Sequence, residues 1–394
     1  MRIAVVTPEL HRTGGTERGL AELVSRLARN HAVCLFANLW EQDGTPNICF
    51  HRVPVMPRPG LARFFSFYWA ATRAVRRAER SEGRYDTIYS PGPNCAQVEV
   101  CTAWFCQARQ HQLLSSGRLR PRPARIADWL RLLHRRAYAA CVTRLERSFY
   151  RSPRLQSVVS PAEVLKADLV ECYGIEPGRI VVGHSGVDSS VFDPGRRAAL
   201  RQKARRELEL LDGTFYFLFV GTDWVRKGLL TIFEALGSVS GAQLLVVGDE
   251  DPAAWRRESA RFGVESRVRY LPRRADILYY YAAADALAAP SVYEPFGLMP
   301  LEAMACGLPS IITRPMGVAE LVTSSEALIL EEESSASDLS QAMHALMTDS
   351  SLYSRLVTAG IARARAHSWD RMCEITIAQL LAVARHNGKQ HQQA

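Results

Sequence analysis

Two glutamates eight residues apart, Glu294 and Glu302, bracket the segment Tyr-Glu-Pro-Phe-Gly-Leu-Met-Pro-Leu-Glu-Ala-Met-Ala-Cys-Gly-Leu-Pro at 293–309. Pro295 and Gly297 predict a turn between the acids, and Pro300 suits the first turn of a helix. A helix N-terminus presents backbone N–H groups to an anion, phosphate above all. Carboxylates beside such a cradle accept hydrogen bonds from hydroxyls. A diphosphate joined to polyhydroxylated rings, as in a nucleotide sugar, offers both chemistries at once. The bland alternative is a capped surface helix with incidental acids. The Pro-Gly turn between the acids speaks against it.

A second cluster is Gly221-Thr222-Asp223-Trp224-Val225-Arg226-Lys227-Gly228. Arg226 and Lys227 are adjacent cations in a glycine-bounded loop, suited to neutralising a leaving diphosphate. They could also be ordinary surface cations. Composition argues otherwise: the chain has 45 arginines and only four lysines, and one lysine is spent here. An ammonium is a compact point charge that suits a phosphate where the guanidinium fork does not. A third signal, Gly14-Gly15, is weak alone, because any tight strand-to-helix turn uses glycine. It is no G-x-G-x-x-G loop, so no bound dinucleotide is expected.

These motifs need elements to hold them. Residues 2–7 form an apolar, β-branched run typical of a buried parallel strand. After the turn at 11–16, Leu20, Leu23, Val24, Leu27 and Ala28 recur at helical spacing, and a strand follows at 31–39. That is a βαβ unit. Strands are expected at 85–90, 98–103, 155–160 and 179–183. Asp193-Pro194-Gly195 then reads as a linker. A second cycle opens with the strand 215–221, the helix 229–237 and the strand 242–248, then continues through 268–271, 286–289 and 309–313. A length of 394 residues suits two or three domains. Two doubly wound α/β halves facing across a cleft account for it, with ligands at the carboxyl ends of strands. A final helix is expected at 369–385.

The 293–309 segment resembles the E-x7-E region of retaining family 4 glycosyltransferases with the GT-B fold, and within them the lipopolysaccharide core glucosyltransferases. The resemblance implies two facing Rossmann-like domains with a deep interdomain cleft. The expected division is 1–193 plus 369–394, binding the acceptor, and 194–368, binding the nucleotide sugar. Carried over, Glu294 holds the donor sugar and Glu302 the ribose. Backbone N–H groups of Phe296, Gly297 and Leu298 meet the sugar or diphosphate. Thr222, Arg226 and Lys227 belong to the donor-phosphate loop, Gly14 and Gly15 to the matching loop of the first half. Arg273, in the 269–273 run, falls where the nucleotide base is met. Gly183-His184-Ser185-Gly186-Val187-Asp188 resembles the stretch ending the first domain, and Trp369 opens the helix that crosses back to it. Arg226, Lys227 and Glu294 are the implied catalytic set. One departure stands out: many relatives place a His or Asp after the strand at 98–103, where this chain has Trp104. Trp104 and His111 are therefore the acceptor-side candidates, with a structural role as the alternative for His111.

Charge and composition narrow the partners. The formal net charge is +9, yet residues 58–154 hold 19 arginines, no lysine and six acids, an excess of +13. Phe64, Phe65, Phe67, Tyr68 and Trp69 lie in this region. A solvated helix face is one reading. An anionic membrane surface bearing a phosphorylated glycolipid is the other. Nucleic acid is not expected, since no recognised module accompanies the charge. Nine cysteines without a C-x-x-C pair read as reduced thiols in a cytoplasmic protein, peripheral at the membrane at most. No apolar run approaches a membrane span. Asp249-Glu250-Asp251 resembles a metal-binding D-x-D, but its place between Gly248 and Pro252 favours an exposed acidic loop, and no metal or cofactor is expected.

The resulting expectation is a retaining hexosyltransferase using a nucleotide sugar, UDP-glucose first, and a glycan or glycolipid acceptor in lipopolysaccharide or cell-surface polysaccharide assembly. Displacement on one face of the sugar, with the diphosphate helping to deprotonate the acceptor hydroxyl, is the implied mechanism. The competing readings are a nucleotide-sugar epimerase of the same fold and a non-catalytic basic membrane- or polyanion-binding protein.

Overall fold

The computed structural model describes the chain apart from residues 13, 43, 58–59, 120–125, 332–334 and 394, and apart from the side chains of 126–135 and 390–393. The chain divides into two compact units. One comprises Met1–Leu113, Arg122–Ser185 and Trp369–Ala394; the other comprises Leu114–Pro121 and Gly186–Ser368.

The first unit is built on a seven-stranded parallel sheet. Across the sheet the strands run Ile48–Arg52, Ala32–Ala37, Arg2–Val6, Thr87–Ser90, Val100–Thr102, Ser157–Ser160 and Ile180–Val182. The first strand is central because Ile3, Ala4, Val5 and Val6 are all fully buried and must be covered on both faces. The chain winds outward to one side of it, then returns to pair Ile3 with Thr87 and winds the other way. Helix Gly15–Asn30 covers one face with Leu20, Leu23, Val24 and Leu27. Helix Gly60–Glu82 covers the other with Phe67, Ala71, Val75 and Ala78.

The edge strand Ile48–Arg52 escapes the sequence reading because it is mostly exposed and shows no apolar run. The last helix, Trp369–Gln393, belongs to this same unit. Ser157 Oγ donates to Gln379 Oε1 at 2.9 Å, and Arg26 pairs with Asp370 at 2.6 Å. Trp369 lies over Gly19, where an added Cβ would come within 2.7 Å of the indole.

The second unit holds a six-stranded parallel sheet in the order Val268–Leu271, Ala242–Val247, Phe215–Val220, Ala286–Ala289, Ser310–Thr313 and Leu328–Leu330. This is the 3-2-1-4-5-6 order of the doubly wound fold. Winding reverses between Phe215–Val220 and Ala286–Ala289, which pair directly. Loops leaving the carboxyl ends of these two neighbours run to opposite faces and leave a crevice between them. Asp193-Pro194-Gly195, expected as the linker, starts a helix instead. The Asp193 carboxylate accepts from the N–H groups of Gly195 and Arg196, and Pro194 takes the first helical position. That helix, Pro194–Glu207, is anchored in the second unit by Arg197 and Arg201, which donate to carbonyls of Tyr281, Ala282 and Ala284.

One buried acid in the first unit gives a pH-dependent stability. Glu146, on helix Ile126–Tyr150, is 5% exposed and accepts from the Tyr173 hydroxyl and, at 3.2 Å, from the Gln107 N–H. Burial pushes its pKa up to about 7, even though both hydrogen bonds pull it down. The folded state therefore holds a proton that the unfolded chain releases near its ordinary 4.5. Stability from this group is complete below that value and is lost as pH rises through about 7, by about 3 kcal/mol in order of magnitude. Glu146→Gln should flatten this slope. Amide exchange in the strands Val100–Thr102 and Ser157–Ser160 at pH 5 and pH 8, corrected for the intrinsic exchange rate, checks it; an unchanged slope refutes the assignment.

Candidate active site

The switch point of the second sheet is where the two principal motifs meet. Strand Phe215–Val220 ends at Gly221, and the loop to Gly228 leads into helix Leu229–Gly237. Strand Ala286–Ala289 ends before Pro290, and 290–297 leads into helix Leu298–Ala305. Both helices begin after a glycine of positive φ, Gly228 at +79° and Gly297 at +86°, and neither start has a side-chain cap. Such N-termini favour an anion through their N–H groups and dipoles.

Glycine is required at Gly228 for a second reason. A Cβ there would sit 2.1 Å from the Pro290 carbonyl oxygen. The two loops approach so closely that the Val292 N–H donates to the Arg226 carbonyl at 2.8 Å. At Gly221 a Cβ would lie 2.4 Å from Cε of Lys227, so the lysine stem folds back over the glycine.

The side chains form a buried ion cluster. Lys227 Nζ donates to Glu294 Oε2 at 2.6 Å, and an Arg226 guanidinium nitrogen to the same oxygen at 3.1 Å. Arg226 also donates to the Tyr293 carbonyl at 2.6 Å and to Asp223 Oδ2 at 3.3 Å. The Arg226, Lys227 and Glu294 side chains are 9%, 7% and 14% exposed.

Burial raises the Glu294 pKa, but Lys227 and Arg226 outweigh it and bring the value down to about 2. Burial lowers the Lys227 pKa, and Glu294 restores it only in part. Arg226 is shifted up, as Glu294 and Asp223 overcome its burial. At neutral pH the cluster carries a carboxylate fixed by two cations. Glu294 stays ionised as a hydrogen-bond acceptor.

The remaining expected residues fall at several places. Glu302 is 8% exposed within helix Leu298–Ala305, and its carboxylate accepts from the Tyr281 hydroxyl at 2.9 Å. Phe296 is buried, and its carbonyl accepts from the Val318 N–H at 2.7 Å. Leu298 is partly buried, and Thr222 is exposed in its loop. Arg273 is exposed and pairs with Asp249 at 3.5 Å, away from the ion cluster's own hydrogen bonds. Glu250 accepts from the Trp224 N–H and the Trp255 indole, and Asp251 caps helix Pro252–Arg261, so the acidic triplet is engaged in structure.

In the first unit, Gly14 at φ +103° precedes helix Gly15–Asn30, also without a side-chain cap. Trp104 packs its ring against the Gly19 position beside Trp369, and its buried Nε1 has no hydrogen-bond partner among the described residues. His111 is partly buried on helix Gln107–Ser115.

Three contributors were not singled out from the sequence. Asp223 braces Arg226, Tyr281 holds Glu302, and Gly317 donates its N–H to the Glu294 carbonyl at 3.1 Å. Asp223 had a local signal, three residues before Arg226. Tyr281 and Gly317 lie in distant segments, and only folding brings them in.

Comparison with known proteins places the chain in a family. The model described as "Glycosyltransferase Family 4" matches residues 13–191, and "Glycosyl transferases group 1" matches 214–349. A D-inositol 3-phosphate glycosyltransferase of Pseudarthrobacter chlorophenolicus is 27% identical over 87% of this chain and 83% of its own length. One of Geodermatophilus obscurus is 28% identical over 97% and 87%. Among solved structures, WaaG, a glycosyltransferase involved in lipopolysaccharide biosynthesis, superposes with a TM-score of 0.75 at 22% identity, covering 94% of this chain and 97% of that one. Anabaena HepE in complex with UDP-glucose gives 0.70 at 17% identity, covering 97% and 100%. The fold is therefore GT-B. No helix among the described residues is long and apolar enough to cross a membrane. With both halves matched in order and the 221–228 loop and E-x7-E segment meeting at one switch point, the chain belongs to the group 1, family 4 retaining glycosyltransferases.

Proposed function

We propose that this enzyme transfers a hexose, glucose first, from a UDP-sugar to a phosphorylated glycan or lipid-linked acceptor. The observation that carries the donor half is the Arg226–Lys227–Glu294 cluster between two uncapped helix starts. The cations take the diphosphate and stabilise its charge as the glycosidic bond breaks. Glu294 and Glu302 accept from sugar and ribose hydroxyls. Glu294 is neutralised by two cations and makes a poor nucleophile, so the reading is a same-face displacement in which the departing diphosphate takes the acceptor proton. The chain's own residues supply positioning and charge stabilisation.

The basic first unit suits a phosphorylated acceptor. A second reading rests on the two relatives, matched over most of their length, that are named for D-inositol 3-phosphate: the acceptor is then a small phosphorylated polyol. A transfer assay tests both, with UDP-glucose and other UDP- and GDP-hexoses as donors, and inositol 3-phosphate and a phosphorylated glycolipid as acceptors. Donor-dependent thermal stabilisation with product on the glycolipid supports the first reading. Product on inositol phosphate supports the second. No stabilisation by any nucleotide sugar refutes the donor assignment.

Attachment to an anionic membrane is proposed through helix Gly60–Glu82. Phe67 is in the core, whereas Trp69 is 53% exposed, and Arg73, Arg76, Arg77 and Arg80 are exposed on the same helix. The arginines at 58, 120, 122, 125, 131 and 135 of this basic region lie outside the described side chains. Co-sedimentation with vesicles should need anionic lipid and weaken with salt. Binding indifferent to both rejects the attachment.

A further inference from the structure

The edge of the first sheet carries a side-chain cluster that the donor site does not use. Strands Ala32–Ala37 and Ile48–Arg52 pair in parallel, with Cys34 opposite Cys49 and Phe36 opposite His51. Residues two apart on a strand share a face, so these four side chains lie together. Cys34 and Phe36 place that face over the core beneath helix Gly60–Glu82.

One ligand atom from each of Cys34, Cys49 and His51 lies within 4.8 Å of the other two. Cys49 Sγ is 3.5 Å from His51 Nε2. A tetrahedral zinc ion, with Zn–S of about 2.3 Å and Zn–N of about 2.0–2.1 Å, sets an S···N edge of about 3.6 Å. This edge therefore already has the spacing of a zinc site.

The imidazole is also held in orientation. It stacks on Phe36 with centroids 4.5 Å apart and planes 8° from parallel. The Arg2 guanidinium adjoins Cys34. Glu82, held by Arg2 at 2.6 Å, stands 3.9 Å from His51 Nε2 and adds the negative charge that offsets the guanidinium. Cys34 is buried while Cys49 is exposed, so an ion has a route in from solvent.

We propose that Cys34, Cys49 and His51 bind a thiophilic divalent cation, zinc above all, with the fourth position open to water. Two thiolates and an imidazole are the donor set that selects zinc over magnesium or calcium. The ion cross-links the exposed edge strand to its neighbour and fixes an edge that is otherwise only half covered.

The test uses untagged full-length protein, reduced and stripped with a chelator, then titrated with Co²⁺. The expected result is stoichiometric uptake with the intense visible bands and near-ultraviolet charge-transfer band of a tetrahedral thiolate site. Zn²⁺ should bleach these bands, raise Tm and slow amide exchange at 48–52. Cys49→Ser should lose the charge-transfer band, and His51→Ala should weaken binding. Cys141→Ser, which removes another exposed thiol, should change nothing. Metal-free Tm of the Cys49→Ser protein reports that it folds. A weak octahedral cobalt spectrum shared by wild type and Cys49→Ser overturns the proposal. So does a Cys34–Cys49 disulfide found by mass in protein that takes up no metal after reduction.

Discussion

Lys227→Ala is expected to lower turnover by about 10²–10³-fold while leaving the fold in place, because one preorganised positive group at the leaving diphosphate is worth about that much. Lys227 Nζ lies 2.6 Å from Glu294 and is almost fully buried, so no neighbouring lysine can substitute for it. Removing it leaves Glu294 still paired with Arg226 at 3.1 Å. The stability loss should therefore be small beside the loss in rate. Lys227→Arg is a stringent companion. The lysine stem folds over Gly221 and its ammonium makes one short bond to Glu294, a contact that a longer, planar guanidinium does not reproduce, so rescue should be poor. Single-turnover transfer with saturating donor, alongside thermal melts, checks both. Near-normal turnover in Lys227→Ala defeats the phosphate assignment.

Glu294→Gln should act on stability as strongly as on chemistry. It leaves the Lys227 cation buried without a carboxylate and Arg226 with Asp223 alone, a situation that costs about 3–5 kcal/mol. Lys227 has a way to relieve this by releasing its proton, since burial already lowers its pKa. The prediction is therefore a destabilised second unit with a neutral Lys227 and little residual transfer.

The sign with pH follows from the lowered Glu294 pKa. Its contribution is present above its ordinary 4.5 and is lost only as pH falls through about 2. In Glu294→Gln the neutral Lys227 takes up a proton on unfolding, so the deficit should shrink as pH rises from 5 to 8. Adding Lys227→Met to Glu294→Gln should recover stability but not activity, if stranded charge is the cause. Amide exchange in the strands Phe215–Val220 and Ala286–Ala289 reads the second unit by itself, which a whole-chain melt of a two-unit protein does not. A double variant as unstable as the single one contradicts this account.

Much of this was legible in the residues. Strand runs such as 215–220 and 286–289 stand out because both faces of a parallel strand are buried and the apolar residues are continuous. The strand Ile48–Arg52 did not stand out, because an edge strand with exposed positions lacks that run. Asp193-Pro194-Gly195 looked like a break because the same three residue types that interrupt a chain also start a helix. Only the arginines that follow, docked on carbonyls near Tyr281, distinguish the two. The aromatic cluster at 64–69 also separates only in three dimensions, into a core Phe67 and an exposed Trp69.

By itself the sequence determined the chemistry on offer: two acids around a Pro-Gly turn, two adjacent cations between glycines, and a doubly wound alternation able to carry both. Residue type and local spacing are enough for that, since turns, helix starts and buried strands are set by near neighbours. The tertiary structure decided which of these groups meet. Arg226 and Lys227 reach Glu294 across 68 and 67 positions, because the two central strands of the second sheet pair directly and their following loops converge. It also decided the charge states. The burial that lowers the Lys227 pKa and the two cations that hold Glu294 ionised exist only once both loops close on the same crevice. The same holds at the first sheet's edge, where Cys34 and Cys49 become partners only because their strands pair in that register.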